Sequence, residues 1–124
     1  NKIDSKIILI SFLNFLLENE GIMYQADGCV ECCSKHVSSF DFQRGGFICK
    51  NCGGIVQDIE FLKNMRILCK TNFNNANKLR VEDKYILMYI SRAFDSLENK
   101  SGIVFKGKEF LFKIVPSDSN AISI

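Results

Sequence analysis

Apolar residues recur with the period of an α-helix near the start of the chain, over Ser5–Asn19. The apolar face is wide, and Gly21 follows the segment as a stop signal. Polar residues recur at helical spacing as a stripe beside that face, at Asp4, Ser11, Asn14 and Glu18. The pattern predicts an amphipathic helix that packs its apolar face into a core.

A second helical pattern begins after Asp58, which we expect to cap it, and runs to about Thr71. One face carries four residues predicted to be buried: Ile59, Leu62, Met65 and Cys69. The other face carries basic residues at i, i+3 and i+7: Lys63, Arg66 and Lys70. The Asn-rich stretch 72–78 is predicted to be a loop. It leads to a third helix at about Val81–Glu98, whose apolar run Tyr85–Ile90 indicates burial.

Length and composition predict one domain. The chain has 124 residues, 47% of them hydrophobic, which is enough apolar material for a core. We expect a mainly α fold, with a single helical domain over residues 1–116. Residues 103–115 alternate in a way that suits a hairpin, and 117–124 are predicted to be a flexible tail. Asn1 in place of a starting Met predicts a fragment or a processed protein.

The apolar run 7–17 raises the question of a signal peptide or a membrane anchor. Its polar stripe and its short length argue against both, as does the acidic segment 18–27, which has no small-residue cleavage site. We therefore expect a cytoplasmic protein with no membrane partner. Thiols stay reduced in that compartment, so disulfides are rare there.

Two cysteine pairs stand 16 residues apart in the glycine-rich segment 28–54. The pairs are Cys29 with Cys32 and Cys49 with Cys52. A C-x2-C turn points two sulfurs at one ion, and two such turns supply the closed tetrahedral set that structural Zn²⁺ prefers. The glycines among them are Gly28, Gly45, Gly46, Gly53 and Gly54. The segment predicts one structural Zn²⁺ in a four-cysteine loop with zinc-ribbon-like knuckles, inserted in a small helical bundle.

Other uses of these thiols stay open. The pairs could form two disulfides or remain free, and Cys33 or His36 could replace one ligand. A redox enzyme would need an exposed thiolate of low pKa, typically at a helix N-terminus, whereas both pairs lie among glycines. The chain has one histidine, no Ser/His/Asp set and no phosphate-cradling loop, so the sequence predicts no enzyme. Cys69 is expected to be a core residue.

Basic residues are concentrated in the second half of the chain. Residues 1–43 hold three basic and six acidic side chains, whereas 44–113 hold thirteen and seven. Four thiolates with one Zn²⁺ add a formal charge of −2, which offsets the chain's formal +2, so attraction for nucleic acid must come from local patches.

The candidates for phosphate contact are Arg44, Lys50, Lys63, Arg66 and Lys70. No base-reading motif accompanies them, so binding is expected to be independent of sequence. The alternative is a solvated helix face.

Three parts of the chain resemble the zinc module of the bacterial recombination mediator RecO. FLNFLLENEGIMYQADGC, from Phe12 to Cys29, is similar to the helix that enters the first cysteine knuckle of that family. Phe40-Asp41-Phe42 and Gly45–Cys52 are similar to the segment between and including its cysteine pairs. The Gly-Gly before the third cysteine is the most specific feature. The resemblance covers roughly Ile8–Phe112, and it favours a short final helix.

The resemblance implies a non-enzymatic role in recombinational DNA repair. A RecO-like protein anneals strands and works with single-strand-binding protein and RecR, on single-stranded and double-stranded DNA. The chain departs from the family in two ways. It has no strand-rich segment corresponding to the N-terminal OB-fold, and Cys33 stands where a glycine usually follows the second cysteine. The alternative is a generic zinc-ribbon module for docking or nucleic-acid binding in transcription or translation, which predicts no helical bundle around the zinc.

Overall fold

The computed structural model describes residues 5–103, which form three α-helices and one β-hairpin. The helices are α1 (Ser5–Asn19), α2 (Ile59–Cys69) and α3 (Asp83–Lys100), and the strands are β1 (Ser39–Asp41) and β2 (Gly46–Ile48). Short 3-10 turns follow β2 and α2, at Lys50–Cys52 and Ala76–Lys78. The prediction of a mostly helical chain with clustered cysteines is confirmed. The described helices do not form a clear bundle, and the hairpin is not clearly a zinc ribbon.

Helices α1 and α3 pack side by side and run in the same direction. Lys6 in the first turn of α1 makes an ion pair of 2.9 Å with Asp83, the first residue of α3. Tyr24, just beyond the end of α1, shares a hydrogen bond of 2.6 Å with Ser96 near the end of α3. Both helices contribute to one hydrophobic cluster, through Ile10, Leu13, Leu17, Ile90, Ala93, Phe94 and Leu97. Helix α1 begins and ends where the sequence predicts, with Gly21 at a φ of +74° beyond it.

Two members of the predicted polar stripe of α1 face the core, so this part of the prediction is wrong. Ser11 and Asn14 are almost fully buried, whereas Phe12 and Phe15 are 44% and 56% exposed. The physical reason is that Asn14 has hydrogen-bond partners on both other helical segments, at the end of α2 and at Tyr89 of α3. These partners satisfy a polar group inside the core, and no local pattern reveals them.

The boundaries of α2 and α3 differ slightly from the predictions. Helix α2 ends two residues before Thr71, and Asp58 stands at its N-cap without making a side-chain capping bond. Its predicted face is buried at Leu62, Met65 and Cys69, but Ile59 is 62% exposed. Ile59 is the first residue of the helix, and helical side chains tilt toward the N-terminal end. Helix α3 begins and ends two residues later than the predicted 81–98.

The Asn-rich segment 72–78 is a loop, as predicted, and it ends in a 3-10 turn. The Asn72 side chain shapes it by accepting hydrogen bonds from the N–H groups of Asn74 and Asn75, at 2.8 and 3.1 Å. The predictions for 104–115 and for the tail 117–124 lie outside the described residues. Within residues 5–103, no helix combines the length and the apolar character needed to cross a bilayer.

The β-hairpin holds an aromatic cluster against α3. Strands β1 and β2 pair antiparallel, with Phe40 opposite Phe47, and the two rings meet edge-on with centroids 5.0 Å apart. Tyr24 packs edge-on against Phe40 at 5.6 Å and against Tyr89 of α3 at 5.9 Å. Because aromatic pairs of this geometry add to the energy of burial, the cluster fixes the hairpin on the helices. No pattern in the sequence predicts this hairpin.

Candidate metal centre

The first cysteine knuckle is held on the outer edge of β2. The Val30 N–H donates to the Phe47 carbonyl at 2.8 Å. Within the knuckle, the Cys29 N–H donates to the Ser34 carbonyl at 2.8 Å, and the Cys33 N–H donates to the Cys29 carbonyl at 2.9 Å. Cys33 adopts a φ of +66°, in the left-handed region that favours glycine. The first knuckle therefore requires a left-handed backbone at residue 33, the position where the RecO resemblance leads us to expect glycine.

The second cysteine knuckle follows β2 directly. Its 3-10 turn, Lys50–Cys52, is closed by the N–H groups of Cys52 and Gly54, which donate to the Cys49 carbonyl at 3.1 and 3.0 Å. Gly53 after the turn has a φ of +95°. A Cβ on Gly54 would lie 2.8 Å from a carbonyl oxygen of β2, so a larger residue does not fit there. These close approaches place the second pair of sulfurs beside the first.

The four cysteine sulfurs form one cluster. The Sγ atoms of Cys29, Cys32, Cys49 and Cys52 all lie within 4.8 Å of one another, and no cysteine of the described chain is in a disulfide. The Sγ atoms of Cys32 and Cys49 are 3.5 Å apart. A tetrahedral Zn²⁺ with Zn–S bonds of about 2.3 Å would place its sulfurs about 3.8 Å apart. The cluster can thus hold a metal ion and is compatible with structural zinc.

The two other candidate ligands lie outside this cluster. Among residues 5–103, the group able to hold a metal contains neither Cys33 nor His36. Both side chains are exposed. Two of the clustered sulfurs, those of Cys29 and Cys49, are buried, whereas Cys32 is exposed. A bound ion would therefore be shielded by the hairpin on one side and lie near the surface at Cys32.

The thiols of the cluster differ in acidity because they share hydrogen bonds. Burial raises the pKa of Cys29, but hydrogen bonds from the backbone N–H groups of both knuckles outweigh it and bring the pKa to about 6. The pKa of Cys52 is raised to about 12, first by its hydrogen bond to the Cys49 sulfur and then by burial. Four thiolates at this separation repel one another, so they ionise together only around a cation. A divalent metal supplies that charge.

Arg44 joins the two knuckles. Its guanidinium donates to the Glu31 carboxylate in the first knuckle at 3.0 Å and to the Cys52 carbonyl in the second at 3.2 Å. Arg44 is predicted from the sequence to contact phosphate, but the structure gives it partners within the metal loop. It also lines a different groove from the basic face of α2, beside β1 and Arg92.

The three basic residues of α2 lie on its exposed side, and they differ in their partners. Lys70, which caps the end of the helix, makes an ion pair of 2.6 Å with Asp27, and this hydrogen bond and charge lower the pKa of Asp27. The Arg66 guanidinium lies over the Phe47 ring, 5.8 Å from its centroid. Within the part of the chain described, neither Lys63 nor Arg66 has a carboxylate at ion-pair distance.

Two grooves flank α2, and both include Arg66. The first, of about 280 Å³, is lined by Lys35 and Lys63 among others, and the second, of about 490 Å³, by Lys70, Lys78 and Arg80 among others. We call the basic residues of the two grooves the cationic strip: Lys35, Lys63, Arg66, Lys70, Lys78 and Arg80. Three of them are not predicted from the sequence, because Lys35, Lys78 and Arg80 belong to loops whose position relative to α2 is set only by the fold. The strip does not include Lys50, which is exposed on the second knuckle.

Comparison with known proteins adds no relative. No protein-family model matches the chain, and no curated protein or solved structure is similar enough to count as a match. The similarity to RecO therefore stays a prediction from the motifs.

Proposed function

We propose that this chain is a zinc-stabilised module that binds the phosphate backbone of single-stranded DNA, as part of a RecO-like mediator of recombinational repair. The four-sulfur cluster supports the structural zinc, because a closed shell of cysteines leaves no position for a reacting ligand. When bound, zinc would cross-link the two knuckles. We also propose the finer description of the fold, a small helical bundle with zinc-ribbon-like knuckles.

The observation that carries the proposal is the cationic strip. Its six basic side chains line two grooves that meet at Arg66, and only the Lys70 ion pair with Asp27 neutralises one of them within residues 5–103. Lys63 and Lys70 are seven residues apart, which is about 10 Å along a helix and so spans two to three phosphates of a single strand. A strip that contacts phosphates alone binds without sequence preference.

The resemblance to RecO supplies the rest of the proposal. It favours strand annealing, single-strand-binding protein and RecR as partners, and a cytoplasmic, non-enzymatic role. A second candidate is protein docking by the metal loop, as in generic zinc-ribbon modules of transcription or translation. Ile55 and Val56 favour it, because these aliphatic side chains follow the second knuckle and are 69% and 75% exposed.

Metal analysis tests the zinc site. Protein purified without chelator should carry one Zn²⁺ per chain, and Cys49→Ser should weaken binding severely because it opens the shell. Cys33→Ser is the matched control, since it removes a thiol of the same loop that is outside the cluster. Cobalt substitution should give the thiolate charge-transfer absorption of a tetrahedral site. Protein without metal, with the four thiols paired in disulfides, would contradict the zinc proposal.

Titration of a labelled oligonucleotide at several salt concentrations tests the DNA proposal. Replacing Lys63, Arg66 and Lys70 with Gln should flatten the slope of log K against log salt by up to about 2, at about 0.7 per phosphate contact. The control replaces three exposed cations of α3, Lys84, Arg92 and Lys100, and should keep most of the slope.

Two results of this titration would reject the proposal that the cationic strip binds DNA. The first is an unchanged slope in the α2 variant, which would mean that this face is only solvated. The second is no binding at low salt, which would favour the docking function instead.

A further inference from the structure

A basic surface by itself does not distinguish single-stranded from double-stranded DNA. The cationic strip offers contacts to phosphates, and a duplex carries phosphates at a higher density than a single strand does. Discrimination requires a group that meets the faces of unpaired bases, which are hidden in the stack of a duplex. Exposed aromatic side chains are the groups that commonly do this in proteins that bind single strands. One such side chain borders the cationic strip.

We propose that Phe73 stacks on an unpaired base of the strand whose phosphates contact the cationic strip, and so raises the affinity for single strands relative to duplex. This inference rests on the proposed function, which it extends from the phosphates to the bases. Phe73 lies in the loop after α2, and its side chain is 56% exposed. Leaving a large apolar ring in water costs free energy, which stacking on a base recovers.

The position of Phe73 is at the border of the second groove. Thr71 and Asn75, two residues before it and two after it, both line this groove of about 490 Å³. Two residues of chain span at most about 7 Å, so the backbone of Phe73 lies within that distance of both. Ile67 lines the groove as well and is 42% exposed. The groove therefore offers an apolar surface among its cations.

Hydrogen bonds on both sides of Phe73 hold the turn that carries it. The Asn72 N–H donates to the Asn75 side-chain oxygen at 2.8 Å, and the Asn75 N–H donates to the Asn72 side-chain oxygen at 3.1 Å. The Asn75 side-chain amide also donates to the Lys70 carbonyl at the end of α2, at 2.9 Å. A ring on a turn fixed in this way loses little conformational entropy when a base stacks on it. Because none of these bonds uses the Phe73 side chain, replacing the ring should leave the turn intact.

The charge around Phe73 selects a polyanion as the occupant. Four cationic side chains line the second groove, and within residues 5–103 no carboxylate lines it. An uncharged apolar partner would leave these cations without counter-charge, whereas a single strand supplies both phosphates and flat apolar bases. Lys70 precedes Phe73 by three residues, so their Cα atoms are at most about 11 Å apart. Neighbouring nucleotides of one strand can therefore contact both.

Titration of a labelled single strand and of a duplex of the same length, in the same buffer, tests the proposal. Phe73→Leu keeps an apolar side chain but removes the aromatic face, so it should weaken single-strand binding by about 5- to 100-fold. It should leave the duplex affinity and the salt slope unchanged, because it removes no phosphate contact. The control is Ile55→Ala, which changes an exposed aliphatic side chain outside the cationic strip and should alter neither affinity.

A fluorescent variant gives a second and direct readout. The chain contains no tryptophan, so Phe73→Trp introduces a single fluorophore with a larger stacking face. It should bind single strands at least as tightly as the wild-type chain does. Its emission should be quenched by a single-stranded oligonucleotide, and much less by the duplex or by an abasic strand of the same length, although both offer phosphates to the strip. Circular dichroism confirms that each variant keeps its helices.

The outcomes separate this inference from the proposed function. If the wild-type chain binds with the expected salt slope and Phe73→Leu binds single strands equally well, the stacking proposal is wrong and the cationic strip stands. Equal losses of single-strand and duplex affinity would also overturn stacking, as would equal quenching of the Phe73→Trp emission by the abasic strand. No binding of single strands by the wild-type chain at low salt would overturn the proposed function, and this inference with it.

Discussion

Asn14 joins all three helical segments, and we expect its replacement to destabilise the fold strongly. Its amide nitrogen donates to the Leu68 carbonyl at 2.8 Å and to the Thr71 carbonyl at 2.9 Å. Its amide oxygen accepts from the Tyr89 hydroxyl at 2.6 Å. The side chain is 4% exposed, so water does not replace these partners if the amide is removed.

The magnitude follows from counting the groups left unpaired. Asn14→Ala leaves the Thr71 carbonyl without this partner, while the Leu68 carbonyl keeps its bond from the Thr71 N–H at 3.2 Å and the Tyr89 hydroxyl keeps its hydrogen bond with the Cys69 thiol. One buried orphan costs about 1–3 kcal/mol and the lost bond to Tyr89 about 1 kcal/mol more, so the free energy of unfolding should fall by about 3 kcal/mol. Urea unfolding of metal-loaded protein should show this as a midpoint lower by about 2 M, for a slope of about 1.5 kcal/mol/M.

Two further variants isolate the contribution of the hydrogen-bond network of Asn14 to stability. Ser11→Ala is the matched control, because Ser11 is equally buried on α1 but within residues 5–103 bonds only to the Ile7 carbonyl of its own helix at 3.1 Å. This change should cost less than about 1 kcal/mol. Adding Tyr89→Phe to Asn14→Ala should cost less than the sum of the two single changes, because both changes remove the same hydrogen bond between Asn14 and Tyr89. If Asn14→Ala lowers the midpoint no more than Ser11→Ala, the network does not stabilise the fold as argued.

Three other predictions concern the metal loop and the aromatic cluster. Chelating the metal should loosen segment 28–54 but leave most of the helical circular dichroism, because α1 and α3 pack without it; complete loss of helix would refute this. Cys33→Gly should stabilise the metal-loaded protein by up to about 1 kcal/mol in urea unfolding, because it removes a Cβ from a residue with left-handed backbone. Cys33→Ala keeps the Cβ and should not stabilise the protein. Equal stabilities of the two variants would show that the backbone of Cys33 is not strained. Burial raises the pKa of Tyr24 from 10.0 to about 12, so the stability that its neutral form contributes below pH 10 should be lost between pH 10 and 12. The loss should be up to about 1.4 kcal/mol per pH unit, and Tyr24→Phe should lose less over that range; parallel pH curves would contradict the assignment.

The features that local chemistry determines could be predicted from the sequence. The extent of α1 follows from its period and from Gly21, whose left-handed conformation ends the helix. The four-sulfur cluster follows from the spacing of two C-x2-C pairs, because each knuckle is a tight turn whose geometry the adjacent residues fix. The exposure of Lys63 and Arg66 follows from the helical pattern of α2.

The features that depend on long-range contacts could not be predicted. Asn14 looks like a surface residue in the sequence, and its partners lie 54 to 75 positions away. The strands of the hairpin have three residues each, too few for a periodic signal, and are fixed by the aromatic packing of Tyr24. The loop residues Lys78 and Arg80 join the cationic strip only because the chain after α2 turns back beside Arg66.

The candidate metal centre and the cationic strip meet at the hairpin, and this contact links a bound ion to the proposed DNA binding. Phe47 lies on β2, two residues before Cys49 of the sulfur cluster, and its ring supports the Arg66 guanidinium at 5.8 Å. The filled site would carry a formal charge of −2 and so repel phosphates. Arg44 lies between the knuckles, bonded to Glu31 and to the Cys52 carbonyl, and offsets part of that charge. We therefore expect the backbone of a bound strand to follow α2 rather than cross the exposed sulfur of Cys32, with zinc acting on it only through the position of Phe47.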